Sequence, residues 1–388
     1  MSKVFIVSGC RTPIGNFQGQ FESYSASELG SIVISEALNR GNIKPEDIDQ
    51  CIIGQVLTAG QGQNPARQAA INSKIPNASP AYTINMLCGS GLKAVALGYQ
   101  AIKNGDSNIL VAGGQESMTR APHCTYLRGA RLGALNLSDT LLSDGLTDAF
   151  NNIHMGNTAE HLAKSYNISR EDQDLFALNS QMKATAAMNN GYFDQEIIGV
   201  PDKRSKVLIV KDEFPKPDIS IEKLGKLRPV FDSTGTVTAG NASGVNDGAA
   251  AVILASSEQI SEKQLQPLAE IIASAEVGLE PICMGLGPIG AVKKVLEKAT
   301  WTKEEVDLYE LNEAFAVQSI ICIKELGLDP KVVNITGGAV ALGHPIGASG
   351  TRCLITLIHN LKRLGKQKGV VALCIGGGMG IAMAVQVC

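Results

Sequence analysis

Short apolar runs alternate with longer stretches of helical period along most of this chain. Residues 4–7 read as a buried strand, 27–38 as an amphipathic helix, 51–56 as a second strand and 65–71 as a second helix. An apolar approach at 84–87 leads to a helical run at 92–102, then to a strand at 108–111 that ends in glycines. Apolar runs of this length between turns are buried strands, and segments of helical period cover them. Strands alternating with helices predict an α/β layered fold with a mostly parallel sheet.

From about Thr119 to Asn246 the alternation lapses. Pro122, Pro201, Pro215 and Pro217 punctuate a polar region with one clear helical stretch, 170–188. We read it as a long excursion from the core, and excursions of this length are usually functional. The alternation resumes with strands at 249–254, 268–275 and 306–311, helices at 290–298 and 351–364, and strands at 370–373 and 380–387.

The two alternating regions repeat one another. The first has a strand at 51–56, a small-residue turn at 88–91, a helix, and a strand ending in Gly113-Gly114. The second has a strand at 306–311, a turn at 344–350, a helix, and a strand ending in Gly376-Gly377. Two copies of one unit are implied. The expected division is an N-terminal half of residues 1–118 and 247–267, a loop domain at 119–246, and a C-terminal half at 268–388. Packed about a pseudo-twofold axis, the two turns would face each other and bring His344 near Cys88.

Composition narrows the function. The 388 residues suffice for two core-forming units, and 44% are hydrophobic. A net charge of -3 and no basic run argue against a nucleic-acid surface. No apolar stretch is long enough to span a bilayer, so no membrane partner is expected. The first residues run straight into a strand without the shape of a targeting segment, and the expected location is the cytoplasm. Nine cysteines are scattered without a CxxC pair. That pattern fits free thiols in a reducing compartment, and no metal site is expected.

Three short stretches carry candidate chemistry. Cys88 stands in Asn85-Met86-Leu87-Cys88-Gly89-Ser90-Gly91, just before a helical run. A thiol at a helix N-terminus is expected to have a lowered pKa. Taken alone, a buried structural cysteine explains the stretch as well. His344 lies between Gly343 and Pro345-Ile346-Gly347, with little packing to justify it, and would make a nucleophile–base pair with Cys88. Cys374 precedes Ile375-Gly376-Gly377-Gly378, whose backbone N–H groups suit an oxyanion. Hydrolysis needs one cysteine; a second makes sense if a proton must also leave a carbon. Asn312 opens a turn after a strand, where its amide could hold a water or donate to an oxyanion; helix capping, with Glu313 serving the dipole, is the structural alternative. The small polar loop 236–248 has room for a thin ligand but lacks phosphate-cradle spacing.

Together and in order, the blocks 85–91, 312–315, 337–350 and 374–378 resemble those of the thiolases, the biosynthetic subgroup in particular. The resemblance covers nearly the whole chain. It implies a five-layer αβαβα fold of two similar halves, with an inserted loop domain that binds coenzyme A and makes oligomer contacts. It implies reversible condensation of two acetyl-CoA to acetoacetyl-CoA and CoA, by a ping-pong route through acetyl-Cys88. CoA thioesters are then substrates and no cofactor is needed. His344 would activate Cys88, and Cys374 would exchange the α-proton of the second acetyl-CoA. Asn312, through a water, and His344 would form one oxyanion hole; the N–H groups of Cys88 and Gly376 would form the other. His154, Met155 and Ser243 match contacts to the pantetheine arm and acyl group. Leu146, Phe231, Ala239, Phe315 and Ile346 match substrate-tunnel positions, and Lys216 falls near the adenine. Met155 would shorten the acyl pocket. A homotetramer, as a dimer of dimers, is the expected assembly. A degradative thiolase of broader chain length is the nearest alternative. A non-catalytic thiolase-fold lipid-binding protein ranks low, because it should have lost one of Cys88, Asn312, His344 or Cys374. Ketoacyl synthases pair their cysteine with two histidines or a histidine and an asparagine, and Cys374 argues against them.

Overall fold

The computed structural model describes residues 3–129 and 132–388. Its main sheet has ten strands. Nine are β1 (Val4–Arg11), β2 (Gln50–Gly54), β3 (Ala81–Ile84), β4 (Ile109–Ser117), β5 (Asn246–Ser256), β6 (Ala269–Gly278), β7 (Leu308–Leu311), β8 (Lys368–Ile375) and β9 (Met379–Val387). They lie in the order β7-β8-β9-β6-β1-β5-β4-β2-β3, with Gly15–Asn16 pairing to β5. The helices that matter here are α1 (Ala26–Gly41), α2 (Pro65–Asn72), α3 (Ser90–Asn104), α4 (Met155–Tyr166), α5 (Arg170–Asn189), α6 (Gly287–Ala299), α7 (Ala316–Leu326) and α8 (Ser349–Leu364).

Alternation along the strands sorts side chains into three cores. Ile109 and Val111 of β4 face one core, with Val33 and Ile34 of α1 and Ala69 of α2. Leu110 and Ala112 of the same strand face another, with Leu92 and Val95 of α3 and Leu354 and Leu357 of α8. That central core also takes Val371 and Leu373 of β8, whereas Val370 and Ala372 face a third, with Val292 and Val295 of α6 and Cys322 of α7. The period of two in β4 and β8 thus produces five layers: helices, sheet, the α3–α8 pair, sheet, helices. The halves join through the short pairing of Phe5 and Ile6 with Glu270 and Ala269.

The sheet is mixed rather than mostly parallel. Parallel pairing holds for β2 with β3 and β4, and for β7 with β8. The pairs β1/β5, β1/β6, β4/β5, β6/β9 and β8/β9 are antiparallel. Crossover helices α2 and α3 permit parallel pairing. Strands β8 and β9 instead join through the tight turn Gly376–Gly378, where Gly377 and Gly378 have φ of 77° and 80°. The excursion also holds a second long helix, α4, opened by an unusual cap in which Gly156 N donates to His154 Nδ1.

The N-termini of α3 and α8 meet backbone to backbone. A Cβ at Gly91 would lie 2.9 Å from Gly347 O and 3.0 Å from Thr351 N; one at Gly350 would lie 2.4 Å from Leu92 N. Only glycine permits this approach. It brings together the turns that carry Cys88 and His344.

Candidate active site

Cys88 is half-buried, one residue ahead of Gly89, the N-cap of α3. The turn is locked: Leu87 N donates to Asn85 Oδ1, Met86 N to Ser90 Oγ, and Ser90 Oγ to Leu87 O. The N–H groups of Cys88 and Gly376 both bear on Cys88 Sγ and favour its thiolate, but burial outweighs them and pushes the thiol up to about 11. The lowered pKa expected from the helix position is therefore overturned. Enclosure costs the anion more than the dipole returns.

Cys374, 1% exposed, lies at the end of β8. Burial and the neighbouring Cys88 hold its thiol well above the ordinary value. Cys88 is thus near enough to Cys374 to oppose its ionisation. Beside them, a Cβ at Gly376 would lie 3.1 Å from Leu87 Cδ1 and 3.4 Å from Met155 Sδ.

His344 is buried and held by both nitrogens. Its Nδ1 lies 2.6 Å from Ser349 Oγ and its Nε2 3.4 Å from Asn312 Nδ2. Burial, with the Arg352 charge second, lowers its pKa to about 3, so the ring is neutral. Among the described residues no hydrogen bond joins it to Cys88. Asn312 does not cap a helix: α7 begins at Ala316 with Phe315 as N-cap. Cys353 Sγ donates to Asn312 Oδ1 at 3.8 Å, turning the amide nitrogen toward His344. Glu313 does not serve that helix either; it accepts from Ser180 Oγ, Asn334 Nδ2 and Val340 N, the last in the first turn of the short helix Ala339–Leu342.

An aromatic wall packs near Cys374. The His154 ring stacks on Phe231 at 4.6 Å, and Phe231 meets Phe315 edge-on at 6.5 Å. Met155, Phe231 and Phe315 pack in one cluster with Cys374, and Leu146 and Ile346 pack in another with Cys88. Ser243 is tied alongside, its N–H donating to Ala314 O at 3.0 Å. Ala239 and Lys216 are exposed and join neither cluster. Lys216 N donates to Gln181 Oε1 and its ammonium lies 5.2 Å over Phe214.

Three supporting residues lay outside the sequence reading. Ser349 sat unremarked in the His344 block. Asn246 Oδ1 accepts from His344 N at 2.9 Å while its Nδ2 donates to Gly15 O. Glu116, with no exposure, accepts from Val56 N, Leu57 N and Gly347 N, so one carboxylate clamps loops of both halves. Burial raises its pKa to about 7 against those three donors. A buried Glu in an apolar strand was the available signal.

The description "Thiolase, N-terminal domain" matches residues 4–258, and "Thiolase, C-terminal domain" matches 265–387. The chain belongs to the thiolase family. As a thiolase it is an acyltransferase. It is similar to the cytosolic acetyl-CoA acetyltransferase of Mus musculus, 53% identical over 99% of this chain and 98% of the relative. An acetyl-CoA acetyltransferase of Cupriavidus necator is 51% identical over the whole of both chains. Among solved structures, the acetyl-CoA acetyltransferase of Bacillus anthracis superposes with a TM-score of 0.97 at 42% identity, covering 100% of this thiolase and 99% of that chain. Among the described residues no helix is long and apolar enough to cross a membrane.

Proposed function

We propose that this thiolase is an acetyl-CoA C-acetyltransferase that condenses two acetyl-CoA to acetoacetyl-CoA and CoA, reversibly and by a ping-pong route. The carrying observation is the pair of neighbouring thiols, Cys88 and Cys374, with the Gly376 N–H bearing on Cys88 Sγ. Cys88 Sγ attacks the thioester carbonyl while its proton passes to neutral His344. The N–H groups of Cys88 and Gly376 receive the oxyanion. The departing CoA thiolate takes the Cys374 proton, which leaves Cys374 as the thiolate. That thiolate removes the α-proton of the second acetyl-CoA. The carbanion attacks acetyl-Cys88, its enolate oxygen held by His344 and by a water on Asn312, and the Cys88 sulfur leaves and recovers a proton from His344. No metal or further cofactor enters this scheme.

Met155 against Gly376 and the Phe231–Phe315 wall favour a short acyl group over the broader range of a degradative thiolase. Lys216 and Ala239, outside the clusters, are assigned to the outer part of the CoA path. The exposed apolar residues Tyr126, Leu127, Leu135 and Leu137 support self-association, which we assign to a homotetramer. The cytosolic relative supports a cytoplasmic location. The test is a steady-state assay of acetoacetyl-CoA against longer 3-ketoacyl-CoAs, with mass spectrometry of the enzyme mixed with acetyl-CoA. Preference for acetoacetyl-CoA and an acetyl adduct on the Cys88 peptide are expected. An adduct on Cys374 overturns the assignment.

A further inference from the structure

Eleven non-glycine residues among those described have positive φ, and five of them are asparagine, which tolerates that region. Leu87, at φ 47°, is the one with an apolar side chain, and it immediately precedes Cys88. Its backbone preference does not explain its presence. Strained backbone persists where its surroundings over-determine it, and it clusters at functional sites.

We propose that Leu87 is a positioning and specificity-determining residue: its left-handed backbone aims the Cys88 N–H into the acyl site, and its side chain, with Met155, bounds that site over Gly376. This rests on the acetyl-transfer reading above.

The peptide that joins Leu87 to Cys88 is planar and trans, so its C=O and N–H point in opposite directions. The Leu87 carbonyl is turned toward Ser90, accepting from Ser90 N at 2.9 Å and Ser90 Oγ at 2.7 Å. That anchor directs the Cys88 N–H the other way, toward the sulfur and the space shared with Gly376 N–H. An extended Leu87 would rotate this peptide and withdraw one of two donors. The side chain does separate work. Leu87 Cδ1 lies 3.1 Å, and Met155 Sδ 3.4 Å, from where a Gly376 Cβ would stand. The two side chains thus both crowd the space over Gly376.

Two variants separate the roles. Leu87→Gly keeps the left-handed backbone accessible but removes the wall. It should raise kcat/KM on a six-carbon 3-ketoacyl-CoA relative to that on acetoacetyl-CoA by about tenfold or more. Leu87→Val keeps an apolar side chain but is β-branched and resists positive φ. It should lose about a hundredfold in kcat with little change in KM for CoA, the mark of an interaction made in the transition state. Thermal melts confirm that each variant is folded, and the Leu87→Gly ratio stands by itself where Leu87→Val does not fold. An unchanged chain-length ratio in Leu87→Gly, or wild-type kcat in folded Leu87→Val, overturns the proposal. Wild-type enzyme inert toward acetoacetyl-CoA would instead sink the acetyl-transfer reading.

Discussion

His344 Nδ1 stands 2.6 Å from Ser349 Oγ, and that hydroxyl in turn donates to Pro345 O at 3.0 Å. A serine has one hydrogen to give. With it committed to Pro345, Ser349 can only accept from His344, so the ring proton sits on Nδ1. Nε2 is left with its lone pair, facing the Asn312 amide. Ser349 thereby selects the tautomer that can take a proton from a thiol.

Ser349→Ala should therefore cost more than one hydrogen bond. It orphans the Nδ1–H and frees the ring to change tautomer. We expect kcat for acetyl transfer to fall by about two orders of magnitude, the scale of general acid–base catalysis, with KM little changed. A variant within twofold of wild type in kcat shows that the tautomer is set elsewhere.

The resting site holds a neutral thiol and a neutral imidazole, with Cys88 near 11 and His344 near 3. Both shifts disfavour the charged pair. Between pH 7 and 9 the thiolate fraction should then grow about tenfold per pH unit. Alkylation of Cys88 by iodoacetamide should follow that slope and show no plateau. A rate already level at pH 7 means a thiolate–imidazolium pair instead.

The α3–α8 contact predicts a sharp contrast between two glycines. A Cβ at Gly350 would press on Leu92 N at 2.4 Å, and backbone cannot step aside. Gly350→Ala should lose about 3 kcal/mol of stability. Gly225 ends the short helix Ile221–Gly225 with nothing within 4 Å of its Cβ position, so Gly225→Ala should be neutral or mildly stabilising. Urea midpoints for the two variants check this directly.

Much of this was legible beforehand, for reasons that particular residues make plain. The runs around Val111 and Val371 announced strands buried on both faces because every position is apolar. Gly91 and Gly350 sit where the two turns meet backbone to backbone, and a Cβ at either would press on the facing chain. What remained hidden depends on partners distant in sequence. Strand direction in β5 and β9 follows from what each strand meets after its connection, not from its own pattern. The Cys88 pKa is set by enclosure, which a helix-end argument omits. Glu116 and Ser349 show their use only once the loops they hold are folded beside them, and the positive φ of Leu87 leaves no mark in composition.

The two cysteines can be told apart by one substitution. Condensation requires an α-proton to leave a weak carbon acid, and the enolate must be met by donors and a placed base. Cys374 is buried beside Cys88, with its thiol held well above the ordinary value. Such a group does not ionise unaided; in the scheme above it becomes a thiolate only by giving its proton to the departing CoA. Serine at this position cannot follow, because its alkoxide is inaccessible near neutral pH. Cys374→Ser should still acquire an acetyl group on Cys88, though slowly, since the leaving thiolate loses its proton donor. It should lose condensation and also the exchange of acetyl-CoA methyl protons with deuterated water, which reports proton removal alone. NMR of acetyl-CoA incubated with each enzyme gives both rates. Exchange at the wild-type rate in Cys374→Ser would leave Cys374 as no more than the buried end of a strand.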